Sequence, residues 1–401
     1  MSKASPSETA ALEPLSGSLI TLMALAIGVI VANLYYLQPL LHQVTKDFRI
    51  SDTKATLLLV LIQAGYAAGL AFVVPLGDLV PRRRLGAVLV FAVASVVMFA
   101  GAAAHSFVLF AAITFFIGLA SCGGQVILPL GADMAEPAQR GRVIGRLMTG
   151  LLMGLMLSRS FSGVVAQALG WRSVYVVAGA ALALMAVTLF RVLPNEPVRA
   201  HVPYRRLLAG TLKMFVTFPM LRRRALYGFL IFAAFSTLWT TLAFHLSAAP
   251  FHYDNLVIGL FGIVGAAGVL AANVAGRYAD RARSHLTTIA CGALILVSFA
   301  VLYVGRHVVV VLAIGIVLLD AGMQGLQITN QSIVYSLAPE ARSRINSAYM
   351  VCAFIGAACG SLAAGQCYAH AGWRGDCLLG GGIGLATLVL AVLWREPIST
   401  T

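Results

Sequence analysis

The sequence predicts an all-α, polytopic membrane protein with twelve transmembrane helices in two pseudo-symmetric six-helix bundles. Three observations predict it. Of the 401 residues, 60% are hydrophobic and only 10% charged, with a mean hydropathy of +0.91; a soluble domain so composed would carry one continuous sticky surface. The apolar residues fall into repeated runs of about 20, the length that crosses a ~30 Å hydrocarbon core. The second half of the chain also repeats landmarks of the first in a single register. Because a bilayer cannot satisfy backbone polar groups, only helices or a closed barrel can cross it, and continuous rather than alternating runs exclude the barrel.

Along the chain, a polar tail over 1–18 precedes the first apolar run. No small-residue cleavage site follows that run, so it reads as an uncleaved helix rather than a signal peptide. Spans are expected near 19–41, 55–77, 85–104, 107–130, 143–168 and 171–193 in a first bundle (19–193). A second bundle (225–394) should hold spans near 225–248, 256–276, 286–305, 308–330, 345–368 and 372–394. The longest connection, 194–224, reads as a basic linker, and 395–401 as a C-terminal tail.

Charge sets the expected orientation. With twelve spans, 21 of the 28 Lys and Arg residues fall on the side of both termini and six on the opposite side, leaving Arg159 inside a span. Excess Lys and Arg mark the cytoplasmic face, so both termini are expected inside, in a bacterial inner membrane. The net charge of +14 then reflects topology and contact with lipid headgroups. The basic linker carries no nucleic-acid-binding motif, and no nucleic-acid partner is expected. Five of the six cysteines (Cys122, Cys291, Cys352, Cys359, Cys367) fall in helices, where Cys acts as a small hydrophobe. Cys367 and Cys377 flank one short loop and could pair, but no disulfide framework surrounds them, and free thiols are expected. No metal-ligand spacing is present, and no cofactor is expected.

The internal repeat is the most informative feature. Asp78 matches Asp280, Gly123 and Gln125 match Gly325 and Gln327, and Pro137, Arg140 and Arg142 match Pro339, Arg342 and Arg344. "GWR" at 170–172 returns at 372–374, and Glu-Pro closes each half at 196–197 and 396–397. Two parallel halves related by an axis along the membrane normal would enclose a substrate cavity near the midplane.

Two loops add a resemblance. "GRYADRARSH", between the eighth and ninth spans, resembles the Gly-x-x-x-Asp-Arg signature of major facilitator superfamily transporters, with Gly276, Asp280 and Arg281 in its places. "PLGDLVPRRRL", between the second and third, is similar to the variant of bacterial efflux members, with Asp78, Arg82 and Arg83 in place. It departs from that pattern at Leu79 and Pro81, where arginine and glycine are usual. The resemblance covers essentially the whole chain and implies fold more than substrate. Independently, a carboxylate at a helix end beside a tight turn can bond backbone amides and a neighbouring arginine. These residues are therefore read as a conformational latch, against the alternative that they only signal topology.

Ionisable groups inside spans are functional candidates. Arg159 and Asp320 are the clear ones, with His245 near a span end, where packing is the simpler reading. Neutral polar candidates are Asn33, Tyr35, Tyr36, Gln38, Gln63, Gln125, Gln324, Gln327 and Asn330; interhelical hydrogen bonds compete with substrate contact at each. The resemblance implies that spans 1, 4, 7 and 10 line the cavity. Of the candidates, Asn33, Tyr36, Gln38, Gln125, Gln324 and Gln327 are read with Arg159 and Asp320 as substrate-binding or coupling residues. Arg159 lies roughly 16 Å and Asp320 roughly 18 Å from the same surface at 1.5 Å per helical residue, and a lone buried charge at that depth is costly. They are expected to interact directly or through water, with Asp320 the proton-coupling group. The alternative is separate satisfaction by backbone and glutamine groups.

Gly150, Gly154 and Gly163 make span 5 a close-packing face. The segment resembles in part the proton-antiporter signature of the superfamily, but Leu155 stands where its proline is expected. The expected function is a monomeric secondary transporter that exports a small organic molecule or drug in exchange for protons by alternating access. A proton-coupled importer of a sugar or organic acid is the alternative, and a non-transporting membrane receptor a remote one. No Gly-x-x-x-x-Gly-Lys-Ser/Thr signature supplies ATP binding, and no Ser/His, paired-Asp or His-metal constellation suggests an enzyme.

Overall fold

The structure is a computed structural model, which describes residues 16–81, 89–136, 139–193, 203–278, 284–338 and 342–394. Of these, residues 77, 78, 271–278, 342 and 343 are described by their backbone alone. The described chain is helical and contains no strand. The helices are α1 (Gly17–Ala32), α2 (Leu41–Phe48), α3 (Asp52–Ala68), α4 (Phe91–Ala103), α5 (Phe107–Ala120), α6 (Gly123–Met134) and α7 (Arg140–Leu169). They continue as α8 (Trp171–Val192), α9 (Tyr204–Thr217), α10 (Pro219–Ser247), α11 (Asn255–Tyr278), α12 (Ser284–Val304), α13 (Val309–Leu337) and α14 (Arg342–Leu393).

Eight of the described helical stretches are long and apolar enough to cross a membrane, and three shorter apolar helices accompany them. The longest stretch, α14, is broken at Gly372, whose φ of 56° and ψ of −149° leave helical space. This arrangement is consistent with twelve spans. Serines start three of the helices: Ser16, Ser51 and Ser106 each accept a hydrogen bond from the backbone N–H three residues on, satisfying a donor the helix leaves free.

Proline interrupts two helices that the hydropathy pattern runs through. The first span was expected to continue to residue 41, but α1 stops at Ala32. A 3-10 turn over Gln38–Leu40 follows, with Pro39 at its start, before α2 begins. Proline lacks the N–H and clashes with the carbonyl four residues back, which kinks or breaks a helix; Pro129, by contrast, is accommodated within α6. Every residue from 30 to 41 is buried, as irregular backbone at membrane depth requires. At Pro75, α3 similarly gives way to a π turn (Gly69–Val73) and a 3-10 turn (Val74–Asp78). The central connection also differs from a plain linker. It holds α9, whose Tyr204 hydroxyl donates to the Phe72 carbonyl at 2.6 Å, and α10 starts at Pro219, which carries Arg224 into the protein interior.

The two halves share their packing scheme. Gly154 of α7 meets the backbone of Gly28 in α1, and Gly356 of α14 meets the backbone of Phe229 in α10; 154 and 356 are equivalent in the repeat. Gly170 and Gly372, equivalent too, are the positive-φ glycines of the described chain, at 84° and 56°. A side chain is strained at such φ. Each is followed by a buried tryptophan, Trp171 or Trp373. Two helix pairs make the largest contacts between the halves: α7 with α11, and α3 with α14.

Candidate functional site: a charged seam between the halves

The seam between α7 and α11 depends on a glycine ladder in α11: Gly259, Gly262, Gly265 and Gly268, one at every third residue. One side of the ladder takes α7. A Cβ at Gly259 would press on the Arg159 carbonyl, and one at Gly262 on the Arg159 side chain. The other side takes α13. A Cβ at Gly265 would collide with Asp320 Oδ2, and one at Gly268 with the Val317 carbonyl. The missing side chains let α11 lie close to both helices, which brings Arg159 and Asp320 to one place.

Arg159 is 2% exposed and Asp320 3%. They form no direct ion pair; Trp239 of α10 stands between them. Its ring centroid lies 3.8 Å from Arg159 Cζ, a cation–π contact in a desolvated setting. Its indole N–H donates to Asp320 Oδ1 at 3.3 Å. Arg159 Nε donates to Gln38 Oε1 at 2.6 Å, a charge-assisted bond made available by the turn at Pro39. The rings of Tyr35 and Phe235 close the guanidinium in, at 4.9 and 5.6 Å. Arg159 Nη2 is buried with no hydrogen-bond partner. The expected meeting of the two charges is thus an indirect one, through an indole. Chemically, the site offers one free guanidinium donor, a carboxylate able to take up a proton, and an aromatic wall.

A second seam, between α3 and α14, is neutral. Gln63 donates to Ser236 Oγ at 3.0 Å and accepts from Ser361 Oγ at 3.1 Å. Thr240 donates to Ser361 at 2.9 Å. Nearby, the Tyr66 and Phe354 rings meet across the halves, with centroids 4.3 Å apart.

The other expected site residues lie apart from Arg159. Asn33 caps the end of α1 and is buried with Oδ1 unpartnered. Tyr36 packs against Phe161 at 5.6 Å, in a groove between α1 and α7 of about 560 Å³. Gln125 faces the Tyr66 hydroxyl. Gln324 is half-buried, one turn beyond Asp320. Gln327 belongs to a separate buried cluster, where it accepts from the Tyr349 hydroxyl at 2.5 Å. Asn330 Nδ2 donates to that hydroxyl at 3.3 Å, and Arg224 donates to Asn330 Oδ1 and Thr288 Oγ1 at 3.1 Å each. His245 bonds the Arg306 carbonyl at 3.1 Å and stacks on Trp373 at 4.0 Å, a packing role. All six cysteines are free.

Of the latch residues, Arg82, Arg83, Asp280 and Arg281 lie outside the described residues, as does the Asp78 side chain; Gly276 falls within α11. Three participants escaped the sequence reading as functional residues: Trp239, the glycine ladder and buried Arg224. The ladder's three-residue spacing was the available signal.

Comparison with known proteins places these features. The family model for the Major Facilitator Superfamily matches residues 23–334 and 306–400. The chain is 44% identical over 381 residues to the uncharacterized transporter YgaY of Escherichia coli O157:H7, covering 95% of this chain and 96% of that one. It is 31% identical over 363 residues to the probable transporter SCO4007 of Streptomyces coelicolor, covering 90% and 84%. Among solved structures, a mutant form of the nucleoside transporter NupG superposes with a TM-score of 0.72 at 13% identity, covering 94% of this chain and all of that one; this likeness concerns the fold alone.

Proposed function

The chain belongs to the Major Facilitator Superfamily, and from that premise we propose that it exports a small organic molecule in exchange for protons, alternating between inward- and outward-open states. That it is an integral membrane protein of a transporter family follows from the family match and the apolar helices. The observation that carries the proposal is the chain Gln38–Arg159–Trp239–Asp320, which joins the 3-10 turn and α7 of the first half to α10 and α13 of the second. Asp320 is the proton carrier. While ionised, it holds the Trp239 N–H and, through the ring, the guanidinium of the other half. When protonated, it releases that hold and the seam can part. Substrate meets the unpaired Arg159 Nη2 and the aromatic wall. The protein works as a monomer in the bacterial inner membrane, with both termini in the cytoplasm.

A second reading draws on the same Nη2, whose free donor suits a carboxylate: import of an organic acid together with a proton. Flux into or out of proteoliposomes under an imposed pH gradient decides direction. A screen of drugs, sugars and organic acids for thermal stabilisation first supplies the substrate. Asp320→Asn should bind substrate yet lose its response to the gradient. Normal gradient-driven flux in that variant would remove Asp320 from coupling.

A further inference from the structure

A polar pocket lies beside the neutral seam, at the end of the molecule opposite the start of α1 and the end of α14. It has a volume of about 220 Å³ and is walled by α3, α10 and α14. Its polar side chains all carry oxygen: Asp52, Thr53, Thr56, Thr241 and Tyr368. Outside that lining, one layer behind Thr241 and Tyr368, stands Asp376, which is fully buried. Neither of its carboxylate oxygens has a hydrogen-bond partner. The Thr241 hydroxyl lies within reach of the carboxyl, but its closer geometry is a long bond to the Thr237 carbonyl at 3.4 Å.

A fully buried carboxylate with no counter-ion is strongly disfavoured, and such a group inside a membrane protein points to an ion or proton site. Neither Asp376 nor Asp52 takes part in an ion pair among the described residues. The cationic groups in the surroundings stay at the rim: His42 faces Asp52 from α2, with Lys46 beyond it, and Arg306 faces the neighbouring Cys377.

We propose that this pocket binds a small monovalent cation, an alkali ion or ammonium, with Asp376 at its back, Asp52 at its mouth, and Thr56, Thr241 and Tyr368 supplying neutral oxygens. Hard cations take oxygen ligands of this mixed kind. A divalent metal fits less well, since no three His, Cys, Asp or Glu side chains converge among the described residues. The pocket sits where α14 closes on α3, with Gly365 against the Thr56 side chain. An ion held there would favour the closed arrangement of that seam.

The test needs no knowledge of the transported substrate, so its failure is separable from failure of the transport proposal. Thermal unfolding of the purified protein is compared in NaCl, LiCl, KCl and NH4Cl against choline chloride at equal ionic strength. At least one small cation should raise Tm saturably, by about 2–4 °C at a hundred times its half-saturation concentration. Asp376→Asn should lose that dependence while melting no lower in choline, because it removes an unpartnered carboxylate. Should that variant fail to fold, Thr241→Val and Asp52→Asn must each raise the half-saturation concentration about tenfold or more. Three results overturn the proposal: no cation exceeding choline; an unchanged cation response in the variants; or stabilisation that follows acidification alone, identically in every salt, which would make this a proton site only.

Discussion

Trp239 serves two opposite charges with two different parts of one side chain. The ring face holds the Arg159 guanidinium and the N–H edge holds Asp320. Trp239→Phe separates these roles, keeping a face and deleting the donor. A hydrogen bond to a charged group is worth about 1.5–3 kcal/mol, so gradient-driven flux should fall about tenfold or more, and Trp239→Leu should fall further. Equal losses in the two variants would mean that the ring face contributes nothing. Arg159→Lys is a sharper test of geometry. It preserves the charge but not the planar group that stacks while Nε reaches Gln38, and it should transport as poorly as Arg159→Ala in the same flux assay. At this scale the charges were legible, because so few ionisable residues fall within the spans. Gln38 was legible as a polar group in a span. Trp239 was not, since an aromatic side chain in a membrane helix usually packs. Asp376 escaped for another reason: it follows the loop residue Arg374 at the start of a helix, where an acid is ordinarily solvated.

Several helix pairs in this protein meet where one of them gives up side chains, and the ladder of α11 does so on two sides. Gly265→Val should therefore push α11 from Asp320 and Trp239, lowering Tm by several degrees and abolishing flux. Gly382→Ala, at a position with nothing within 4 Å, should change neither in parallel melting and flux measurements. If both substitutions are equally tolerated, the ladder is not what sets the distance between α7 and α13. Hydropathy could locate the spans without showing this approach, because it counts how apolar a residue is and not how close a neighbour comes. It also ran the first and second spans through Pro39 and Pro75, although proline is a breaker visible in the sequence. Surrounding protein buries the first of those breaks, which aims Gln38 at Arg159.

The repeat explains why the molecule has two seams and why they differ. Gln38 and Arg159 correspond in register to Thr240 and Ser361, and each couple is hydrogen-bonded between equivalent helices. Asp320 corresponds to Gly118, which in the first half packs against the backbone of Ile62. One ancestral contact scheme thus carries charge on one side and hydroxyls on the other. The register was legible in the sequence; which equivalent pairs touch was not, since contact depends on helix rotation. Alternating access requires both seams to part at the far end when that face opens. There the halves are tied by Asn255 of α11 donating to Gln43 of α2 at 2.8 Å. Replacing both residues with cysteine and joining them through disulfides with a short bis-thiosulfonate crosslinker, which releases sulfinate as each disulfide forms, should hold that end shut. Flux should then drop more than about tenfold and recover when a reductant cleaves the bridge, while each single variant treated alike keeps its rate. The single variants also control for the six native cysteines. A crosslinked protein that transports at the uncrosslinked rate would show that the far end need not open, and would exclude movement of one half against the other as the transport step.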